Sequence, residues 1–430
     1  MYSQIIEYTT AHGRYISFIG IFVVLFCAYL FSLNKKNVSI RFIFIAMGLH
    51  IASALFMLKT TIGQMIVNSI SSVIESLYTA ADTGIRFLFG ALALPTAGGW
   101  GFIFAIKVLP IIIFFSAFMA LLQYWGIIQK FVSAVRKISQ PILGTTGPET
   151  TCAVANSFLS QTEAPMLIRQ NLATMSNSEL FVVMVSGFAS ISGAVLAVYG
   201  TMGIPVQHLL AASIMSIPAS LLFAKIVYPA ESVPSTKKAE NAPIIEDCSM
   251  QVNSSLGAFS QGTCDGLQIA LAVGAMLITF IAIIALLDGI FMTGSSWINY
   301  ALTYVGATWQ MPILKFQVIL GWIGQPFAWL LGFSGDQARM VGEFLGIKVA
   351  VNEMVAFGEL AKSGLSERSI AVVTYALCGF SNFSCIGIQA AGIGAMIPTR
   401  RSFFTTYGVR AMFAAALANI FSALIVNIIL

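Results

Sequence analysis

The sequence predicts an all-α integral membrane protein: eight transmembrane helices plus two re-entrant hairpins in inverted repeats, with interfacial amphipathic helices. Three observations predict it. The 430-residue chain is 58% hydrophobic and only 9% charged, with a mean hydropathy of +0.88, whereas soluble domains carry about 25% charged residues. Its apolar residues come in runs of roughly 18 to 25, which suit helices crossing a hydrocarbon core about 30 Å thick, and the alternating pattern of a membrane barrel is absent. Two long segments, 140–176 and 312–362, are apolar enough to enter the membrane but are cut by Gly, Pro and charged residues, so neither half spans alone.

Each element follows from these patterns and from the placement of basic residues, which stay on the cytoplasmic side of short loops. Span 1 is expected at 16–34, a retained helix rather than a cleaved signal, because Lys35 and Lys36 follow it with no small-residue cleavage site. Those lysines and Arg41 put the loop before span 2 (40–58) inside, hence the N-terminus outside. Residues 64–79 place Ile66, Ile70, Val73, Ile74 and Leu77 on one face, the pattern of an interfacial helix on the outer surface. Span 3 (102–122) returns inward to "GIIQKFVSAVRKIS", whose apolar stripe and Lys130, Arg136 and Lys137 predict a helix lying on the cytoplasmic surface. Spans 4 (179–203) and 5 (206–228) follow the first odd segment. A polar stretch, about 229–262, is the one long linker and should be cytoplasmic. Span 6 (264–290) leads outward, span 7 (367–397) leads back to Arg400 and Arg401, and span 8 (403–430) ends outside.

Several function classes are excluded. The net charge of +5 is spread over span ends with no basic stripe, so nothing points to nucleic acid. The six cysteines show no CxxC spacing, and the three histidines have no acidic companions at i+3 or i+4, so no metal site, triad or cofactor motif can be built. An embedded enzyme would need an HExxH, DDxxD-like or GxSxG constellation, and none is present.

The two interrupted segments resemble each other. "GTTGPE" (144–149) is echoed by "GFSGDQ" (332–337), "QTEAP" around Glu163 by "VNEMVAF" around Glu353, "SE" at 178–179 by "SE" at 366–367, and "GFAS" (187–190) by "GFSN" (379–382). Three spans separate the hairpins, an odd number, so the first enters from inside and the second from outside. Inverted repeats with broken helices meeting at mid-membrane are the architecture of secondary transporters.

A carboxylate at mid-span costs roughly 2.5 to 3.5 kcal/mol on insertion scales, so Glu163 and Glu353 need compensation. Ligand binding supplies it, as would an internal ion pair with Arg169, Lys348 or Arg339. Thr162 is expected to N-cap the outgoing half-helix at the first tip with Pro165 in its first turn, and Asn352 to cap the second. Gly187, Ser190, Ser192 and Gly193, and likewise Gly379, Asn382, Ser384 and Gly387, should weaken the facing spans, although close packing through small residues is an alternative for the glycines. Carboxylates, amides and hydroxyls without a cationic cluster suit a neutral, hydroxyl-rich solute and a hard cation such as sodium.

The stretches "FAIKVLPIIIFFSAFMALLQYWGI", "GTTGPETTCAVANSFLSQTEAPMLI", "GFASISGAVLAVYG", "GIKVAVNEMVAF" and "CGFSNFSCIGI" followed by "PTRR" resemble the concentrative nucleoside transporters, of the bacterial sodium-coupled type, over nearly the whole chain. The resemblance implies a homotrimer in a bacterial inner membrane, importing a uridine-like nucleoside with sodium by elevator-like movement of a transport domain against a scaffold, the alternatives being coupling to protons or transport of another neutral, hydroxyl-rich solute. It implies that Gln161, Thr162, Glu163 and Val195 hold the nucleobase. Glu353 and Asn382 would hold the ribose with Phe380 lining the site, and Asn156, Ser190 and the carbonyls of Leu159 and Ile191 would bind sodium. The corresponding divisions are scaffold at 1–125, a first transport repeat at 126–228, the linker at 229–263, scaffold span 6 at 264–292 and a second transport repeat at 293–430. Ser160 stands where many members have Gly, Met354 where Phe is usual, and Cys385 where a serine often contacts the ribose, a weaker donor and acceptor at that point.

Overall fold

In the computed structural model, residues 13–94, 103–230, 254–306, 308–311 and 313–430 are described. The expected outer N-terminus and 231–253 of the expected linker, with Cys248, lie outside them, as does the start of span 3. The described residues are helical, with no strand among them.

Spans 1 and 2 form as α1 (Arg14–Leu30) and α2 (Ile40–Lys59), the second capped by Ser39, whose hydroxyl accepts from Phe42 N–H. The expected outer interfacial helix is α3 (Thr61–Phe89), which runs ten residues further than the apolar stripe because Asp82 near its end pairs with Arg86 and with Lys107. Span 3 is α4 (Leu109–Tyr124), preceded by a single turn, Phe104–Lys107. Next comes the basic amphipathic helix α5 (Ile127–Leu143), which ends at Gly144 in the left-handed region, the usual device for stopping a helix.

The interrupted segment 140–176 therefore begins inside α5, and its first half-helix is α6 (Gly147–Ala155). After the tip the chain continues as a tight 3-10 stretch, Ala164–Ile168, and a short turn, Arg169–Leu172. Span 4 is broken, as its Ser-Gly content predicts, into α7 (Asn177–Ala189) and α8 (Gly193–Thr201), and span 5 is α9 (Val206–Val227).

Span 6 departs from expectation. Instead of a helix confined to 264–290, α10 runs unbroken from Ser255 to Tyr304, 50 residues, roughly 75 Å at 1.5 Å per residue. Its first ten residues include part of the expected linker. Gly262 and Gly266 lie flat on α4: a Cβ on either would come within 2.8 Å of the Ala117 or Ile113 Cα, the close approach that a GxxxG spacing permits.

The second interrupted segment resolves into three helices, α11 (Phe316–Leu330), α12 (Gly335–Ala350) and α13 (Glu353–Lys362), with α11 and α12 meeting at 115°. So α11 is the counterpart of α5, each with an internal Gln-Pro pair (140–141 and 325–326). The hairpin proper is α12 and α13. Span 7 is broken like span 4, into α14 (Glu367–Leu377) and α15 (Phe383–Met396), and span 8 is α16 (Arg401–Ile429). The second half thus repeats the first element by element. Six helices are long and apolar enough to cross a membrane; the shorter α1 and the broken span 7 complete eight.

Burial divides the molecule. Spans 4, 5 and 8 are 83–89% buried, and α16 packs against α1, α7, α9, α14 and α15. By contrast α10 is almost wholly exposed and packs along α4.

Candidate functional site

The two broken spans cross at their breaks. Phe380 N–H donates to the Ser190 carbonyl (3.3 Å), and a Cβ on Gly379 would stand 2.9 Å from the Phe188 carbonyl oxygen. Only glycine lets the backbones approach that closely, so Gly379 packs rather than lends carbonyls to a ligand. Free helix ends at this crossing leave amide and carbonyl groups to be satisfied inside the membrane.

On one side of the crossing stands Glu353, the first residue of α13. It is buried, its Oε1 accepting from the Tyr199 hydroxyl (2.8 Å) and its Oε2 from Asn382 Nδ2 (3.0 Å). Asn352 caps α13 as expected, its Oδ1 accepting from Val355 N–H. Asn382 caps α15 in the same way, accepting from Cys385 N–H at 3.0 Å. The Cys385 side chain is buried beside those of Gln161, Asn382 and Ser384, and Ser384 Oγ donates to Asn382 Oδ1 at 2.6 Å. Hydrogen bonds therefore link Tyr199, Glu353, Asn382 and the Cys385 N–H at the second hairpin tip, and Gln161 of the first tip lies beside this cluster.

The first tip is built differently from the expectation. Thr162 does not cap the outgoing segment. Ser160 does: its Oγ accepts from Glu163 N–H (3.3 Å), and Glu163 Oε2 accepts from Ser160 N–H (2.9 Å). This is the reciprocal arrangement of a capping box, and it gives Ser160 a physical role. The segment after the box, Ala164–Ile168, is a 3-10 stretch with Pro165 in its first turn, where its missing N–H costs no bond. Thr162 Oγ1 lies 3.2 Å from Ser160 Oγ, and its methyl group packs on Gly392 of α15. Gln161 is buried against Gly187, with its Oε1 unpartnered. Val195 sits in the first turn of α8, where its N–H meets Ser192 Oγ, and Phe380 is half-buried in the break itself.

The residues expected to hold a cation lie on the first tip and on the break of span 4. Gly193 N–H donates to the Phe158 carbonyl (2.8 Å), pinning the break of span 4 onto the first tip and bringing buried Leu159 and Ile191 to one place. Asn156 Nδ2 donates to Ser186 Oγ (2.9 Å), leaving Asn156 Oδ1 buried without a donor. Ser190 Oγ donates to the Ser186 carbonyl (2.8 Å), so its lone pairs are free. An amide oxygen without a donor and a hydroxyl whose proton is spent on a carbonyl, both linked to Ser186, are acceptor groups of the kind that suit a hard monovalent cation.

Neither glutamate forms an internal ion pair among the described residues. Arg339 pairs instead with Glu343 at 3.6 Å, and Lys348 bonds the Ala376 carbonyl and Asn419 Oδ1, both at 2.8 Å. Three participants escaped the sequence reading. Tyr199 follows Val195 by four residues, hence on the same face of α8, and Gln389 follows Cys385 by four on α15; i+4 spacing from the proposed ligands is the signal that could have found them. The third is Glu149, buried in the first repeat's motif "GTTGPE" and in contact with Lys225 at 2.6 Å.

Comparison with known proteins agrees with this geometry. Residues 19–92 match the family described as the Na+ dependent nucleoside transporter N-terminus, 105–205 the nucleoside recognition (Gate) domain, and 208–427 the Na+ dependent nucleoside transporter C-terminus. The nucleoside permease NupC of Helicobacter pylori is 37% identical, over 96% of this chain and 97% of that protein. An uncharacterized transporter of Haemophilus influenzae is 39% identical, with 96% and 97% covered. Sodium/nucleoside cotransporter 1 of Rattus norvegicus is 34% identical over 96% of this chain and 63% of its own length. Among solved structures, CNTnw in an inward-facing substrate-bound state superposes with a TM-score of 0.86 at 35% identity, covering 96% of this chain and 97% of that one.

Proposed function

The chain belongs to the Na+ dependent nucleoside transporter family, a family of transporters and not of enzymes, and from that membership we propose that it imports nucleosides by symport with sodium. The observation that carries the proposal is the buried network of Tyr199, Glu353 and Asn382, held where two broken spans cross. Gln161, Thr162 and Glu163 orient the nucleobase beside Val195; Glu353 and Asn382 bind the ribose hydroxyls, with Cys385 and Phe380 completing the wall. Glu163 offers Oε1 while Oε2 stays anchored to Ser160. Asn156, Ser190 and the carbonyls of Leu159 and Ile191 hold the sodium, whose binding sets the first tip.

Sodium entering with the nucleoside down a potential of 100 mV contributes about 2.3 kcal/mol to accumulation. The crossing spans and hairpins form the transport domain, which moves elevator-fashion against a scaffold containing α4 and α10. Exposure of the α4–α10 pair supports a homotrimer built on it, in a bacterial inner membrane with both termini outside.

The test is uptake of labelled uridine into proteoliposomes under an inward sodium gradient, with choline and pH gradients in parallel. Sodium-driven accumulation that Glu353→Gln abolishes is the expected outcome. Accumulation driven by a proton gradient alone overturns sodium coupling, and no uptake under any gradient overturns nucleoside transport.

A further inference from the structure

Apart from the crossing of the broken spans, the described residues enclose a cavity of about 450 Å³, large enough for a small-molecule ligand. It lies between the loop that leads into α2, the junction of α5 with the first hairpin, and the end of α9. The distribution of Lys and Arg assigns all three to the cytoplasmic side. The lining is divided by chemistry: Ser39, Arg41 and Lys225 contribute its polar part, Phe42, Ile142 and Ile226 its apolar part, and no carboxylate lines it.

The polar part has unused donors. Arg41 has no hydrogen-bond or ion-pair partner among the described residues. Ser39 Oγ accepts from Phe42 N–H at 3.3 Å, so its own proton is free to donate. Lys225 Nζ meets Glu149 Oε2 at 2.6 Å and Ser178 Oγ at 3.3 Å, which leaves one of an ammonium's donors for the cavity. A guanidinium, an ammonium and a hydroxyl around one space match the oxygens of a phosphate.

The apolar part decides which phosphate. Ile142 continues a stripe along α5 with Ile127, Phe131 and Ile138, spaced to share one helix face and 41–65% exposed. A helix with such a face lies in the boundary between lipid and water, its apolar side among acyl chains. Because Ile142 belongs to both the stripe and the cavity wall, the two are continuous. A soluble phosphate would leave the apolar wall bare.

We propose that this cavity holds the phosphate headgroup of an anionic phospholipid of the cytoplasmic leaflet, gripped by Arg41, Lys225 and Ser39, with an acyl chain running out past Ile142 along α5. Anionic lipid is abundant in that leaflet, and basic pockets beside spans on that side recognise its headgroups. The bound lipid joins the start of α2 to the end of α9 where Gly144 ends α5 and the first hairpin begins. It is thus a brace for the hairpin entrance, separate from the nucleoside and sodium ligands.

Thermal melts of the purified full-length protein in detergent at about 0.15 M salt, titrated with dioleoylphosphatidylglycerol, dioleoylphosphatidylcholine or inorganic phosphate, test this without recourse to transport. Saturable stabilisation by the phosphatidylglycerol alone is expected. Its absence, or equal stabilisation by the phosphatidylcholine, overturns recognition of an anionic headgroup; an equal shift with inorganic phosphate overturns the lipid as occupant. Arg41→Ala should raise the phosphatidylglycerol concentration for half-maximal stabilisation about tenfold or more, as befits a charge-assisted hydrogen bond to phosphate. Arg169→Ala removes an exposed arginine that does not line the cavity and should change it less than about threefold, the effect of a screened surface charge. Equal losses from the two substitutions make the attraction diffuse and overturn the cavity as the site. Should Arg41→Ala not fold, the three titrations of the unaltered protein decide.

Discussion

Ser160 and Glu163 hold each other at the tip of the first hairpin: the Ser160 N–H donates to Glu163 Oε2 at 2.9 Å, and the Glu163 N–H donates to Ser160 Oγ at 3.3 Å. One carboxylate oxygen is thereby anchored by backbone while the other stays available. Glycine at 160 retains the N–H that grips the carboxylate and loses only the hydroxyl. Replacing an N-cap serine by glycine costs a few tenths of a kcal/mol, and by alanine about 1 kcal/mol. Ser160→Gly should therefore leave the uridine KM within about threefold, and Glu163→Ala should raise it by far more. Uptake kinetics at saturating sodium check both. Equal effects of the two substitutions would contradict an anchoring role.

Tyr199 fixes the other carboxylate. Its hydroxyl donates to Glu353 Oε1 in a fully buried environment, and a hydrogen bond to a charged group is worth about 1.5–3 kcal/mol. Tyr199→Phe keeps the ring against Phe357, whose centroid lies 4.4 Å away, and removes only the donor. The uridine KM should rise roughly tenfold to a hundredfold, since 1.4 kcal/mol is tenfold. The melting temperature should fall less than for Tyr199→Ala, which also empties the stack.

The cation pocket predicts a separation of effects. Asn156→Ala removes the orphaned Oδ1 without touching Glu353 or Asn382. Half-maximal activation should need at least about tenfold more sodium, while uridine KM at saturating sodium stays near that of the unaltered protein. Sodium titrations at fixed uridine measure this. A rise in uridine KM at every sodium concentration would place Asn156 among the nucleoside contacts instead.

Much of this site was legible in the residues. The breaks in spans 4 and 7 announce themselves because Gly, Ser and Asn interrupt apolar runs at matching positions, and the paired glutamates are costly enough in lipid to demand an explanation. Asn352 read correctly as a cap because an amide just before an apolar turn has little else to do, whereas Asn382, expected only to weaken its span, caps α15 as well. What was not legible depended on three-dimensional choice between neighbours. Thr162 and Ser160 are both competent caps, and the fold selects Ser160 because Glu163 stands three residues beyond it. Tyr199 sits in "AVLAVYG", where an aromatic has an obvious packing role, so its hydroxyl gives no sign of its partner 154 residues away. The length of α10 was hidden because polar residues at 254–266 look like linker, and only contact with α4 makes them helical.

Gly187 marks how little room the site leaves. A Cβ there would lie 2.6 Å from Gln389 Nε2 and 3.0 Å from Gln161 Cβ, so Gly187→Ala must displace two amides at the wall of the nucleobase pocket. Overpacking of this kind costs about 1–3 kcal/mol. The variant should still fold, because the nearest contact is the Gln389 amide at the far end of a flexible side chain, while the fixed Gln161 Cβ at 3.0 Å needs to give by only a few tenths of an ångström, but transport should fall sharply. A thermal melt beside an uptake assay separates the two; loss of folding without a stage of inactive, folded protein would make the glycine a packing element alone.

Glu149 and Lys225 provide the stability prediction. Glu149 is 2% exposed and its Oε2 lies 2.6 Å from Lys225 Nζ, an ion contact without hydrogen-bond alignment, while its Oε1 accepts from Thr146 N–H at 2.8 Å as part of the cap that starts α6. Lys225 also reaches Ser178 Oγ at 3.3 Å, so the pair ties the entrance of the first hairpin to the ends of spans 4 and 5. Breaking a buried pair by removing one partner costs about 3–5 kcal/mol, because the remaining charge is stranded. Lys225→Met should therefore destabilise strongly. Glu149→Gln alone should cost less: it keeps an oxygen for the Thr146 N–H and leaves an ammonium that is 14% exposed and can reach water. The double substitution removes both charges and should recover much of the loss of Lys225→Met, giving a coupling energy of the opposite sign to the single losses. Denaturation of the four proteins in the same detergent measures the cycle. Strictly additive losses would mean that the two charges are solvated independently, and that the hairpin entrance is held by its cap alone.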